Sequence, residues 1–286
     1  MREKNVSIVI PTYNRKESLE RVLGSYLIQD SLKELIIVND GSTDGTMKFV
    51  EEFSRQYPII KLINHEKNMG QPYSKNTGIS VAEGKYILIG EDDVYLQKDY
   101  VATLLECLHK NGADLIGGRL LPLVTGSFEK AIEKANKRKG TFANYWVMVF
   151  DLAQKLNEDV QVPMMHSITL GKAETYKEIL FDTSYYASAQ REDADFHIRL
   201  GKLGKRIFFC PHTLFFHLKG RNIKKGGNWS IGVIRHQIYS IKLNNIFINK
   251  HYEYLKKFGM KGNKLTYQLL HAVNRVRVVF KYYYWR

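Results

Sequence analysis

Through the N-terminal half of this chain, short runs of almost unbroken apolar residues alternate with longer amphipathic stretches. The runs cover 6–10, 35–38, 59–63 and 86–89. Runs with so little polar alternation suit strands covered on both faces. Between them, 17–28, 43–57 and 72–82 place apolar residues at helical spacing, as Leu19, Val22, Leu23, Tyr26 and Leu27 do in the first. Strand–helix–strand alternation requires right-handed crossovers and a mostly parallel sheet. In such sheets ligands bind beyond the carboxyl ends of the strands. The same patterning predicts helices over 97–110 and 192–203 and strands over 113–118, 167–170 and 206–209. The expected fold is α/β, with a Rossmann-like sheet in a unit spanning 1–227. Within it, 120–165 is less regular: 128–138 is helical and basic, 142–150 is aromatic, and the region suits acceptor binding. A basic, amphipathic helical region follows over 228–286.

With 286 residues and 44% hydrophobic content, the chain can bury a large core, and wholesale disorder is excluded. Lysine and arginine number 43 against 29 acids, a formal charge of +14 that attracts polyanions such as nucleotide phosphates or anionic headgroups. The two cysteines, Cys107 and Cys210, fall in helical and strand-like apolar runs and read as buried free thiols, with nothing resembling a Cys-rich zinc site. The strand pattern begins almost at once, so no signal peptide is expected. No run reaches the roughly 18 apolar residues of a bilayer span. A reducing, cytoplasmic setting is the expectation.

Each strand end holds polar or special residues. Pro11-Thr12-Tyr13-Asn14-Arg15 offers an aromatic face for a base and a guanidinium for a phosphate, or else a plain turn capped by Asn14. In Asn39-Asp40-Gly41-Ser42-Thr43, Asp40 can accept a hydrogen bond from a uracil imide, while Ser42 or Thr43 caps the next helix. Gly70 permits a tight turn, and Lys75, one turn into the following helix, can face a base or phosphates. Glu91-Asp92-Asp93 packs three carboxylates behind a buried strand. That is costly unless a divalent cation joins them, and it exceeds what a helix N-terminus needs. In Glu192-Asp193-Ala194-Asp195, acids open a helix, as a general base or as caps with an Asp195–Arg199 ion pair. His217 ends an aromatic run, as a metal ligand or as a packed residue.

In this order the windows resemble inverting glycosyltransferases of family 2, which have the GT-A fold. The likeness rests on Val6–Asn14, Ile36–Asp44, Asn68-x-Gly70 and Asn76-x-Gly78, and extends over about 5–217. It implies that Tyr13 stacks on uracil and Asp40 holds its imide. Pro11, Thr12 and Arg15 would line the nucleotide pocket, with Gly70 and Lys75 beside it. It further implies that Asp92 approaches the ribose or donor sugar, that Asp93 and His217 bind the metal, Mn or Mg, and that Asp193 is the base. Glu91 stands where aspartate is usual, and Asp195 is a second candidate base.

The reaction expected is single displacement from a nucleotide sugar, UDP-sugar favoured, onto a hydroxyl of a glycan or lipid-linked acceptor. The alternatives are a sugar-phosphate nucleotidyltransferase, whose glycine-rich basic start is not matched by 11–15, and a basic nucleic-acid-binding protein. Acids at the strand ends would repel the phosphates of nucleic acid, so no nucleic-acid partner is expected. In the C-terminal region, Leu265, Leu269, Val273, Val276, Phe280 and Tyr283 follow helical spacing beside Arg275, Arg277, Lys281 and Arg286, and 282–285 is an aromatic cluster. That composition suits a helix lying peripherally on an anionic, cytoplasmic membrane face, or one packed on the core or in a homodimer.

Overall fold

The structure, a computed structural model, describes residues 3–123, 127–144, 148–185, 190–218 and 232–284, with side chains through Phe280. The expected 227/228 boundary, Trp285 and Arg286 lie outside the described residues, as do the side chains of Lys281, Tyr282, Tyr283 and Tyr284 and the middle of the aromatic stretch at 145–147.

The alternation seen in the sequence becomes β1 (Val6–Thr12), α1 (Lys16–Leu27), β2 (Leu32–Asn39), α2 (Thr46–Gln56), β3 (Ile60–Asn64), α3 (Gln71–Val81) and β4 (Tyr86–Ile89). Then follow β5 (Val94–Leu96), α4 (Tyr100–Asn111), β6 (Leu115–Leu123), α5 (Phe128–Asn136), β7 (Ala143–Asn144), β8 (Val149–Phe150) and β9 (Val160–Gln161). The chain continues through β10 (Leu170–Lys172), α6 (Ala173–Glu178), α7 (Glu192–Lys202), β11 (Ile207–Leu218), α8 (Val233–Lys257) and α9 (Lys264–Tyr284).

One sheet runs β3-β2-β1-β4-β10-β6-β11-β5, with β9 added on β11. Its longest ladders, β1–β2 and β6–β11, are parallel, as are β1–β4 and β2–β3. Antiparallel pairing is confined to short ladders made by β10, β5 and β9. Successive residues of β1 enter different cores: Ile8 and Ile10 join one cluster with α1 and α4, while Val9 joins another with α3 and α7. The two-residue period of a strand makes this alternation, and helices cover both faces.

Four local expectations change. The strand expected over 167–170 begins only at Leu170 and runs to Lys172, where it pairs with β4 and β6. Asn14 does not cap α1; it adopts a left-handed backbone (φ 52°), and its Oδ1 accepts from Thr43 N at 2.7 Å. Nor do Ser42 and Thr43 cap α2. Asp44 Oδ1 accepts from Thr46 N instead, and Ser42 Oγ accepts from Asn14 N, so the side chains tie the two strand-end turns to each other. Finally, 206–209 is only the start of β11, which continues past Pro211 to Leu218 because a register shift between Phe209 and Leu214 absorbs the proline. Cys107 and Cys210 are buried and free as expected, with Sγ atoms 2.6 Å apart.

Candidate active site

At the ends of β1 and β2, Asp40 is buried and its carboxylate organises the next loop. Oδ1 accepts from Met69 N (2.9 Å) and from His65 Nδ1 (2.8 Å), and Oδ2 accepts from Gly70 N (2.8 Å). Gly41, at φ +73°, lies where a Cβ would meet the Lys67 backbone at 2.7 Å, so the two loops pack backbone to backbone. Contact with a base through Asp40 would therefore use the remaining lone pair of Oδ2. His65 also reaches Thr77 Oγ1 (3.1 Å) and meets Tyr73 edge-on. Its part in shaping this loop has no sequence signature. Pro11 and Thr12 are buried at the end of β1, and Tyr13 and Arg15 are half-buried beyond it.

The acidic turn between β4 and β5 is held by its backbone. Tyr26 Oη donates to Glu91 O (2.9 Å) and accepts from Glu91 N (3.1 Å). Ser18 Oγ donates to Asp92 O (2.8 Å), and Leu218 N donates to Asp93 O (2.8 Å). These anchors leave the carboxylates free to converge. Antiparallel pairing of β5 with β11 sets His217 opposite Val94, which brings His217 Nε2 to 3.5 Å from Asp93 Oδ1. Arg15 Nη1 lies 3.8 Å from Asp93 Oδ2. Ligand atoms of Glu91, Asp93 and His217 all fall within 4.8 Å of one another. Glu91 thus joins the metal candidates despite replacing the usual aspartate. Its carboxylate also accepts from Ser167 Oγ.

Burial, then the neighbouring Asp93, raises the pKa of Glu91 and takes that of Asp92 up to about 7. These acids are desolvated with less positive charge than they need. Two carboxylates and an imidazole form a donor set suited to a divalent ion. The His217 Nδ1 and Arg15 Nη1 atoms are buried without hydrogen-bond partners. The residues present fit a metal ion.

The second acidic cluster opens α7. Lys75, expected beside the base or phosphates, points into the protein instead. Its side chain is wholly buried, and Nζ donates to Glu192 Oε1 at 2.6 Å and Asp193 Oδ1 at 2.7 Å. Two carboxylates at the start of α7 outcompete solvent for this ammonium. Asp193 keeps 24% side-chain exposure, whereas Asp195 has none. Asp195 Oδ2 accepts from Arg199 Nε (2.7 Å), and its Oδ1 accepts from His251 Nε2 (2.8 Å), Tyr185 Oη and Lys250 Nζ (both 3.2 Å). Near the same acids lie His166 and His197, which the sequence reading passed over. Burial lowers their pKa values to about 4 and about 3, with the charge of Asp193 opposing the shift in each.

The pattern of glycosyl transferase family 2 matches residues 7–194, which takes in Glu91-Asp92-Asp93 and reaches Glu192-Asp193. The chain belongs to that family. Its match agrees with the family resemblance seen in the sequence. The glycosyltransferase GlyA of Streptococcus pneumoniae serotype 4 is 26% identical over 234 residues, covering 78% of this chain but only 31% of GlyA. GlyG of the same organism is 32% identical over 114 residues, 40% of this chain and 38% of GlyG. The chain therefore spans about a third of the length of these relatives. Among solved structures, S. aureus TarS 1-349 in complex with UDP-GlcNAc superposes with a TM-score of 0.59 at 18% identity, covering 98% of this chain and 73% of TarS. Mannosyltransferase PcManGT from Pyrobaculum calidifontis, in complex with GDP-Man and Mn2+, gives 0.61 at 17%, covering 98% and 76%. The shared architecture is the GT-A fold.

Proposed function

We propose that this family 2 chain is an inverting, metal-dependent glycosyltransferase that moves a sugar from a UDP-sugar to a hydroxyl of a glycan or lipid-linked acceptor. The observation that carries the reading is the convergence of Glu91, Asp93 and His217 at the carboxyl edge of the sheet. An ion held there, Mn or Mg, would neutralise the diphosphate that leaves. TarS and PcManGT, crystallised with UDP-GlcNAc and with GDP-Man and Mn2+, support a nucleotide-sugar donor. Tyr13 offers its face to the base, Arg15 its charge to the phosphates, and Pro11, Thr12, Asp40 and Gly70 shape the pocket wall. Asp92 faces the ribose or sugar. Asp193, the partly exposed acid of its cluster, takes the proton of the acceptor hydroxyl as that oxygen attacks opposite the leaving group, and inversion follows.

We read 1–227 as the donor unit and 228–286 as an appended helical region that lays the chain peripherally on a cytoplasmic membrane face. Among the described residues no helix is long and apolar enough to cross a membrane.

A thermal-shift panel of UDP- and GDP-sugars, with and without Mn2+, tests the donor site. We expect a rise in Tm that needs both UDP-sugar and Mn2+, and its loss together with turnover in Asp93→Ala. Full turnover in a folded Asp93→Ala protein would falsify the metal role.

A further inference from the structure

Lys75 sits on α3, yet its ammonium ends at the start of α7, between Glu192 Oε1 and Asp193 Oδ1. It also lies over the ring of Phe181, 4.8 Å from the centroid. Its neighbour Asn76 fastens the same segment from both sides, donating to Phe181 O (2.9 Å) and accepting from Phe181 N (2.8 Å). The side chains of Lys75 and Glu192 are 0% and 1% exposed, so neither is available to a nucleotide. One cation here serves two acids. Glu192 Oε2 is buried without a partner, and burial, opposed by Lys75, takes the Glu192 pKa up to about 8. Asp193 alone of the three reaches solvent.

We propose that Lys75 is the positioning residue of the transfer, its buried ammonium fixing the Asp193 carboxylate by one oxygen so that the other faces the acceptor. This rests on the assignment of Asp193 as base. The physical argument is geometric. A carboxylate on the first turn of a helix has two free side-chain torsions, and a fully buried donor at 2.7 Å removes that freedom in advance. Lys75 cannot play this part and also bind phosphate, because its ammonium is enclosed by the two acids and the Phe181 ring.

The test measures UDP release from the UDP-sugar that wild type turns over fastest, with Mn2+, beside the Kd for UDP. Lys75→Met alone leaves the buried Glu192 and the partly exposed Asp193 without their cation, and a fold failure there would say nothing about positioning. Lys75→Met/Glu192→Gln removes the ammonium together with the buried carboxyl that pairs with it, and leaves Asp193 as the acid of the pair. We expect this double variant to fold, to bind UDP as wild type does, and to lose turnover by about 10²-fold, the effect of a reacting group out of place. Glu192→Gln alone should retain most turnover, and Lys75→Arg should restore part of what methionine loses. Wild-type turnover in the double variant, or a loss seen in UDP affinity and not in turnover, overturns the inference. Asp193→Asn is measured alongside. If it stays active, the base assignment itself fails. If it is inactive while the double variant is fully active, only the role of Lys75 fails.

Discussion

Asp193 and Asp195 lie two residues apart on α7 and face opposite surroundings. Asp195 has no exposed side-chain surface, and its carboxylate receives donors from Arg199, His251, Tyr185 and Lys250. Burial by itself would raise its pKa, but the hydrogen bonds from His251 and Arg199 hold the carboxyl well below the usual carboxylate range. With no exposed side-chain surface, it cannot reach an acceptor. Its work is to tie α7 to α8. Removing one partner of such a buried network costs about 3–5 kcal/mol. Asp195→Ala should therefore lower Tm sharply at neutral pH. Because the native pKa is depressed, the stability that Asp195 contributes is present above the ordinary carboxylate value of about 3.9 and is lost as pH falls below it. The Tm gap between wild type and Asp195→Ala should narrow on acidification through that window. A gap that is constant from pH 7 to pH 3, followed by thermal melts, would refute this account of Asp195.

At the scale of elements, the site depends on how closely α3 approaches the sheet. Gly78 is the contact point: a Cβ there would meet Val9 Cγ1 at 2.3 Å and Val38 Cγ2 at 3.3 Å. Both neighbours are β-branched and stiff at χ1, so they cannot swing aside. Gly78→Ala should cost about 1–3 kcal/mol, as overpacking does, measured by urea unfolding. It should also move Lys75, which lies one turn earlier on the same helix. An unchanged midpoint would mean that α3 can lift without penalty. On the opposite side of the site, β11 supplies His217 only because its bulge past Pro211 lets the strand resume pairing with β6 and then with β5.

At the scale of the whole molecule, the formal +14 charge and the last helix belong together. Leu265, Leu269, Val273, Val276 and Phe280 on α9 are 47–63% exposed, so this stripe is not packed on the core. α8, by contrast, buries His236, Leu243, Phe247, Ile248 and Leu255. An exposed apolar stripe beside Arg277 and Lys264 suits an anionic bilayer surface, where apolar burial and charge attraction act together. The protein should sediment with phosphatidylglycerol vesicles at low salt, less so at high salt, and Leu269→Glu/Val273→Glu should abolish this. Wild type that stays in the supernatant and runs as a dimer would assign the stripe to self-association instead.

The strand and helix order was readable from the chain because apolar periodicity follows directly from which faces of an element meet the core. The acids at strand ends were readable for the same reason, since polar residues that close a buried run mark the edge of the sheet. Apart from Asp93 with His217, which the family resemblance put together, the sequence could not show which of these groups meet. His217 joins Asp93 through the pairing of β11 with β5, and the short β5 has too few residues to show a period. Lys75 turns from solvent to the α7 acids, and His65 to Asp40, because charge and hydrogen-bond donors seek partners by distance in space. Those distances exist only once the helices have packed.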